Sequence, residues 1–131
     1  MKLQTATRLG LYATLELARD PAQTLSSADL AGRFGVSTHS LAKVLRTLAA
    51  AGLVQGGRGA MGGYRFTGNR RRITLMDIVA LFEPVPGNRA REPGEETEIG
   101  GALQRILTEI DEIAEATLRS VSLETMLKRP T

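Results

Sequence analysis

Few residues in this chain have types and spacings that suggest chemistry. Gly57, Arg58, Gly59, Ala60, Met61 and Gly62 match the spacing G-x-G-x-x-G. In a dinucleotide site that spacing follows a strand and opens a helix, so that pyrophosphate meets the helix N-terminus. Here a strand pattern, Tyr64-Arg65-Phe66-Thr67, comes next instead. No Gly-Lys-Ser/Thr closes a phosphate loop either, so the glycines suit a tight turn better than a cofactor cradle. His39 is the one histidine, and cysteine is absent. Thiolate nucleophiles, disulfides, Cys-ligated zinc, Cys-ligated iron–sulfur clusters and a multi-His metal site within one chain are excluded together. Glu95, Glu96 and Glu98 lie in a polar stretch with no apolar surroundings to shift a carboxyl pKa, and read as a solvated acidic loop. Neither catalysis nor a cofactor is expected.

Charge is the stronger signal. Residues 1–85 carry 11 Lys/Arg against 5 Asp/Glu, a balance of +6, whereas residues 86–131 carry 6 against 9, a balance of −3. A basic N-terminal part points to a polyanionic partner. No apolar run approaches the ~18 residues of a membrane span. The opening MKLQTATRLGLYATLELARD lacks the pattern of a secretion signal, so cytoplasm is the expected compartment and no membrane partner is expected.

The elements that must position these charges follow from periodicity. Residues 4–18 form a helix with Leu11, Leu15 and Ala18 on one stripe and Leu9, Tyr12 and Ala13 beside it, ended by Asp20-Pro21. Ser26 or Ser27 caps a short helix with Leu30, Ala31 and Phe34 facing inward, and Gly35 closes it. Ser37 caps a third helix whose Leu41, Val44, Leu45 and Leu48 fall at i, i+3, i+4 and i+7. Leu53-Val54-Gln55 and Tyr64-Arg65-Phe66-Thr67 make a β-hairpin with a Gly-rich tip. Thr74 starts a further helix that ends before Pro84. Residues 86–98 form a flexible polar loop. A long helix near 99–118 carries Ile99, Leu103, Ile106, Ile110 and Ile113 on one stripe. That stripe is too apolar for a domain of ~85 residues to cover alone, which favours dimerisation. Leu123 and Leu127 mark a short final turn.

This order, mainly α with a small β-hairpin, is that of a winged helix-turn-helix. A helix enters the major groove when one side is packed and the other is polar and basic. Ser37, Thr38, His39 and Ser40 cluster at the third helix's N-terminus, where base edges and phosphate are within reach. Lys43 reaches a base or a phosphate, and Arg46 the backbone. His39 is a DNA contact or a plain surface residue. Arg58, in the wing tip, can enter a narrow minor groove. Arg65 adds phosphate attraction, while Arg70, Arg71 and Arg72 do the same or form a solvated turn.

The strings LGLYATLELA, ADLAGRFGVSTHSLAKVLRTLAAAGLV, RGAMGGYRF and ITLMDIVALFEP, with the ending VSLETML, resemble the Rrf2 family of bacterial transcription regulators from Leu3 to Leu127. The GVS turn and the Phe82-Glu83-Pro84 ending look nearest to its nitric-oxide-sensing repressors. The resemblance implies a winged domain over 1–85, a sensor loop over 86–98, and a dimerisation helix and tail over 99–131. It implies a homodimer that binds double-stranded DNA at a palindromic operator, as a repressor. DNA contacts then carry over to Ser37, Thr38, His39, Ser40, Lys43 and Arg58, and Arg46, with Gly62, Gly63, Tyr64 and Arg65 of the wing, completes the expected DNA-binding set. Many relatives hold an iron–sulfur cluster through three cysteines in the sensor loop. This chain has none, and Gly100 or Gly101 stands about where the last would be. A cluster-based signal is therefore not carried over, which leaves an unspecified small-molecule or protein effector. The alternative is a winged-helix module that binds only another protein.

Overall fold

A computed structural model describes residues 2–57, 62–84 and 90–128. Among these, α1 (Thr5–Arg19), α2 (Ser27–Phe34), α3 (Thr38–Ala50), β1 (Val54–Gly56), β2 (Tyr64–Phe66), α4 (Leu75–Phe82), α5 (Glu98–Ser120) and α6 (Leu123–Lys128) follow in order.

The helix ends show why the chain breaks where it does. Ser26 caps α2 by accepting the Asp29 N–H at 3.0 Å, and the Asp29 carboxylate accepts the Ser26 N–H at 2.9 Å. Thr74 and Asp77 repeat this reciprocal cap on α4. Gly35, at φ 66°, ends α2 in the left-handed region and donates its N–H to the Ala31 carbonyl. That tight turn sets α3 against α2, the helix-turn-helix.

The inward stripe of α1 differs from the one its larger residues suggest. Leu11 and Leu15 are half-buried and Tyr12 is exposed, whereas Thr7, Leu9, Gly10, Ala13, Thr14, Leu17 and Ala18 are buried. Small residues take the inward face because α4 crosses close by. A Cβ on Gly10 would lie 2.4 Å from the Phe82 ring. The two buried hydroxyls are satisfied: Thr14 donates to the Gly10 carbonyl at 2.7 Å, and Thr7 to the Glu83 carboxylate at 2.7 Å.

The hairpin pairs antiparallel with Val54 opposite Phe66, Gln55 opposite Arg65 and Gly56 opposite Tyr64. On the other edge of β2, Leu25 and Tyr64 exchange both backbone hydrogen bonds, at 2.7 and 3.0 Å. The segment before α2 thus adds a third rung to the wing. Gly63 permits it, since a Cβ there would lie 2.9 Å from the Leu25 carbonyl carbon.

Leu17, Leu30, Leu41, Leu45, Leu48 and Ile78 are fully buried in one core. Leu123, from α6, is fully buried in the same core. It gets there because the chain returns after α5: Leu75 N–H donates to the Val121 carbonyl and Leu123 N–H to the Ile73 carbonyl, both at 2.9 Å. Residues expected to form a tail after the dimerisation helix therefore complete the winged core. By contrast α5 has no buried residue and, with 23 residues, is about 35 Å long.

Candidate nucleic-acid interface

The inward residues of α3, Leu41, Val44, Leu45 and Leu48, are buried, and Thr38, His39, Ser40, Lys43 and Arg46 are exposed. The Ser37 hydroxyl is engaged in the cap. It accepts the Ser40 N–H at 3.1 Å and donates to the Ser40 hydroxyl at 2.8 Å. The first helical backbone bond runs from Leu41 N–H to the Ser37 carbonyl, so the Thr38 and His39 N–H groups lie outside the intrahelical ladder. They form a donor-rich end to the exposed face, suited to an anionic oxygen. Thr47 turns its hydroxyl back to the Lys43 carbonyl at 3.3 Å, leaving Lys43 and Arg46 as the charges further along.

In the wing, Arg65 is exposed, Tyr64 and Gly62 are half-buried, and Gly63 is buried. Gly63 lies against Thr24 and Leu25, so its smallness serves the third rung. The Tyr64 ring lies over Gly56. Arg58 falls outside the described residues. The run Arg70, Arg71 and Arg72 divides by role: Arg70 donates to the Ala18 carbonyl at the end of α1 at 3.1 Å, and Arg71 pairs with Glu124 of α6 at 3.0 Å. Two of the three therefore fasten the wing's far end to α1 and α6.

Sequence reasoning recorded the basic half but missed how sharply it is bounded. Residues 30–76 carry eight Lys/Arg and no Asp or Glu. That run spans α3 and the wing, so neither element carries a carboxylate.

The face of α5 that carries Ile99, Leu103, Ile106, Ile110 and Ile113 is open, with Ile99 84% and Ile113 67% exposed. Before it, Thr97 caps the helix by accepting the Gly100 N–H at 3.0 Å and donates its hydroxyl to the Gly94 carbonyl at 2.6 Å. Residues 86–89 of the expected flexible loop lie outside the described residues, and 93–97 form turns folded back on this helix end. A Cβ at Gly100 would lie 1.9 Å from the Gly94 carbonyl oxygen. The donor set does not fit a thiolate-held cluster, since the chain has no cysteine and a side chain at position 100 would strike the backbone. No helix among the described residues is long and apolar enough to cross a membrane.

The Rrf2 family profile, described as an iron-dependent transcriptional regulator, matches residues 3–129. The HTH-type transcriptional regulator BadM of Rhodopseudomonas palustris is 48% identical over 128 residues, covering 98% of this chain and 82% of BadM. The structure of CymR, the global cysteine regulator of Bacillus subtilis, superposes with TM-score 0.79 at 28% identity, over 100% of this chain and 99% of CymR. A transcriptional regulator from Listeria innocua matches with TM-score 0.77 at 32% identity, over 100% of this chain and 89% of that one. These relatives support DNA-binding regulation and do not favour a module that binds protein alone. They do not confirm the likeness to nitric-oxide-sensing repressors.

Proposed function

The chain belongs to the Rrf2 family of DNA-binding transcription regulators, and from that premise we propose that it represses transcription as a homodimer seated on a palindromic operator. The observation that carries this reading is the two-sided α3, packed on one side and, on the other, presenting Thr38, His39, Ser40, Lys43 and Arg46 without an acidic neighbour in sequence. In the major groove, Thr38, His39 and Ser40 meet base edges and phosphate at the helix start, and Lys43 and Arg46 follow the backbone. Ser37 holds that start in place through its cap. Arg58, Gly62, Gly63, Tyr64 and Arg65 make up the wing that lies along the adjacent groove. Two copies pair through Ile99, Leu103, Ile106, Ile110 and Ile113, which places two reading helices on one two-fold axis. The activity is binding without catalytic turnover, and the compartment is the cytoplasm.

A signal, from a small molecule or a protein, would act by changing the angle between the two winged units through residues 82–103. Glu83 supports that route, because its carboxylate accepts the Thr7 hydroxyl and the Gln4 N–H at 2.7 and 2.8 Å, tying the end of α4 to the start of α1.

Titrating the protein onto genomic fragments at several salt concentrations tests the proposal. One fragment should bind at least about a thousandfold more tightly than random DNA, with affinity falling steeply as salt rises. Equal binding to every fragment would refute sequence-specific regulation. The purified protein should also be colourless and free of stoichiometric iron, as metal analysis and visible absorbance will show.

A further inference from the structure

The arginines of this protein divide by partner. Arg19 and Arg33 both pair with Glu16, Arg71 pairs with Glu124, and Arg119 with Glu115. Each of these charges has a carboxylate beside it. Arg65 is held differently: its Nη2 donates to the Oε1 of Gln55 at 2.9 Å, directly across the hairpin. Among the described residues no carboxylate pairs with it. An amide orients a guanidinium without neutralising it.

The hydrogen-bond inventory makes the consequence specific. The Gln55 Oε1 accepts from Arg65, its two amide protons stay available, and the guanidinium keeps its other four. The pair therefore presents six N–H donors and keeps its positive charge. Beside it is a shallow concavity of about 360 Å³ lined by Thr24, Gln55, Gly56, Gly57, Gly62, Gly63 and Arg65. The glycines let a backbone approach closely, and the lining contains no carboxylate. A donor-rich pair with an intact positive charge, beside a side-chain-poor hollow, suits a phosphodiester oxygen.

We propose that Gln55 is a positioning residue, holding the Arg65 guanidinium over the root of the wing to grip one backbone phosphate of the bound DNA. This rests on the DNA-binding function above. It adds a specific phosphate contact and the residue that aims it.

The test is operator affinity against salt for the full chain and for R65A, R65K, Q55A, Q55E and the double variant Q55A/R65A, with melting temperatures as a check on folding. R65A should weaken binding about tenfold, equally on operator and random DNA. It should also lower the magnitude of the salt slope by about 1.8, the contribution of two phosphates, one gripped by each copy of the dimer. R65K should keep the slope and lose part of the affinity, because the charge remains and the fork does not. Q55E should mimic R65A in slope, because its carboxylate neutralises Arg65 in place. Q55A should weaken binding several-fold alone and have no effect when Arg65 is already alanine. If Gln55 merely stabilised the hairpin, Q55A would weaken binding equally in both backgrounds, and that result would overturn the proposal, as would an unchanged slope in R65A. A wild-type protein that bound no fragment at all would instead refute the DNA-binding reading itself.

Discussion

Asp29 shows how one residue can hold both a helix and a titration. The Ser26 backbone N–H, and then the Ser26 hydroxyl, hold its carboxyl below the ordinary 3.8. A lowered folded-state pKa contributes stability that is present above the unfolded pKa and lost as pH falls through the folded one. The carboxyl resonance of Asp29 should therefore titrate below 3.8 by NMR, and Asp29→Asn should flatten the acid side of the stability profile. A midpoint at the ordinary value would mean that the cap is not formed in solution. Lys43 is a different case at the same scale: it is exposed and faces away from the core, so Lys43→Ala should leave the melting temperature unchanged. If it grips a phosphate or a base, operator affinity should drop about tenfold or more, which a binding titration would detect.

Elements follow from spacing when the spacing is set by large side chains, and less so when it is set by close approach. The stripe on α3 was legible because Leu41, Val44, Leu45 and Leu48 carry the whole contact. The α1 stripe was legible only in part: Leu9, Ala13 and Ala18 are buried as read, but Thr7, Gly10 and Thr14 also face inward, Gly10 against the Phe82 ring, and a small or polar residue gives periodicity nothing to register. The third rung at Leu25 was also hidden, being a single residue paired to the far edge of β2. Gln55 was passed over because a neutral amide counts for nothing in a charge tally; its place opposite Arg65 shows only once the hairpin register is known. Gly63 and Gly100 offer direct tests at this scale. Gly63→Ala forces a methyl against the Leu25 backbone and should cost about 1–3 kcal/mol, read by thermal unfolding. Gly100→Ala should lift residues 94–97 from the helix start, raising amide exchange there while the core stays protected.

For the whole molecule, charge and apolar surface are kept apart. The basic stretch ends before α4, and the open apolar face begins at Ile99. If α5 joins two copies, Ile106→Glu with Ile110→Glu should turn a sedimenting dimer into a monomer. Operator affinity should then drop by about a hundredfold or more, because each half would bind without its tethered mate. A variant that stayed dimeric would place the interface elsewhere.

The packing of Leu123 beside Leu17 and Ile78 in one core has a consequence for synthesis. The chain leaves the ribosome from its N-terminus, so every residue thought to read DNA is made long before the one that seals the hydrophobic interior. A nascent chain ending at residue 98 has the reading helix and the wing but an open gap where α6 belongs. Leu123→Ala imitates that gap in the finished chain and should cost about 2–5 kcal/mol, measured by denaturant unfolding. The winged unit is thus completed only after the 23-residue α5 has been made. No copy can finish its reading head before it carries the helix proposed to join it to a second copy.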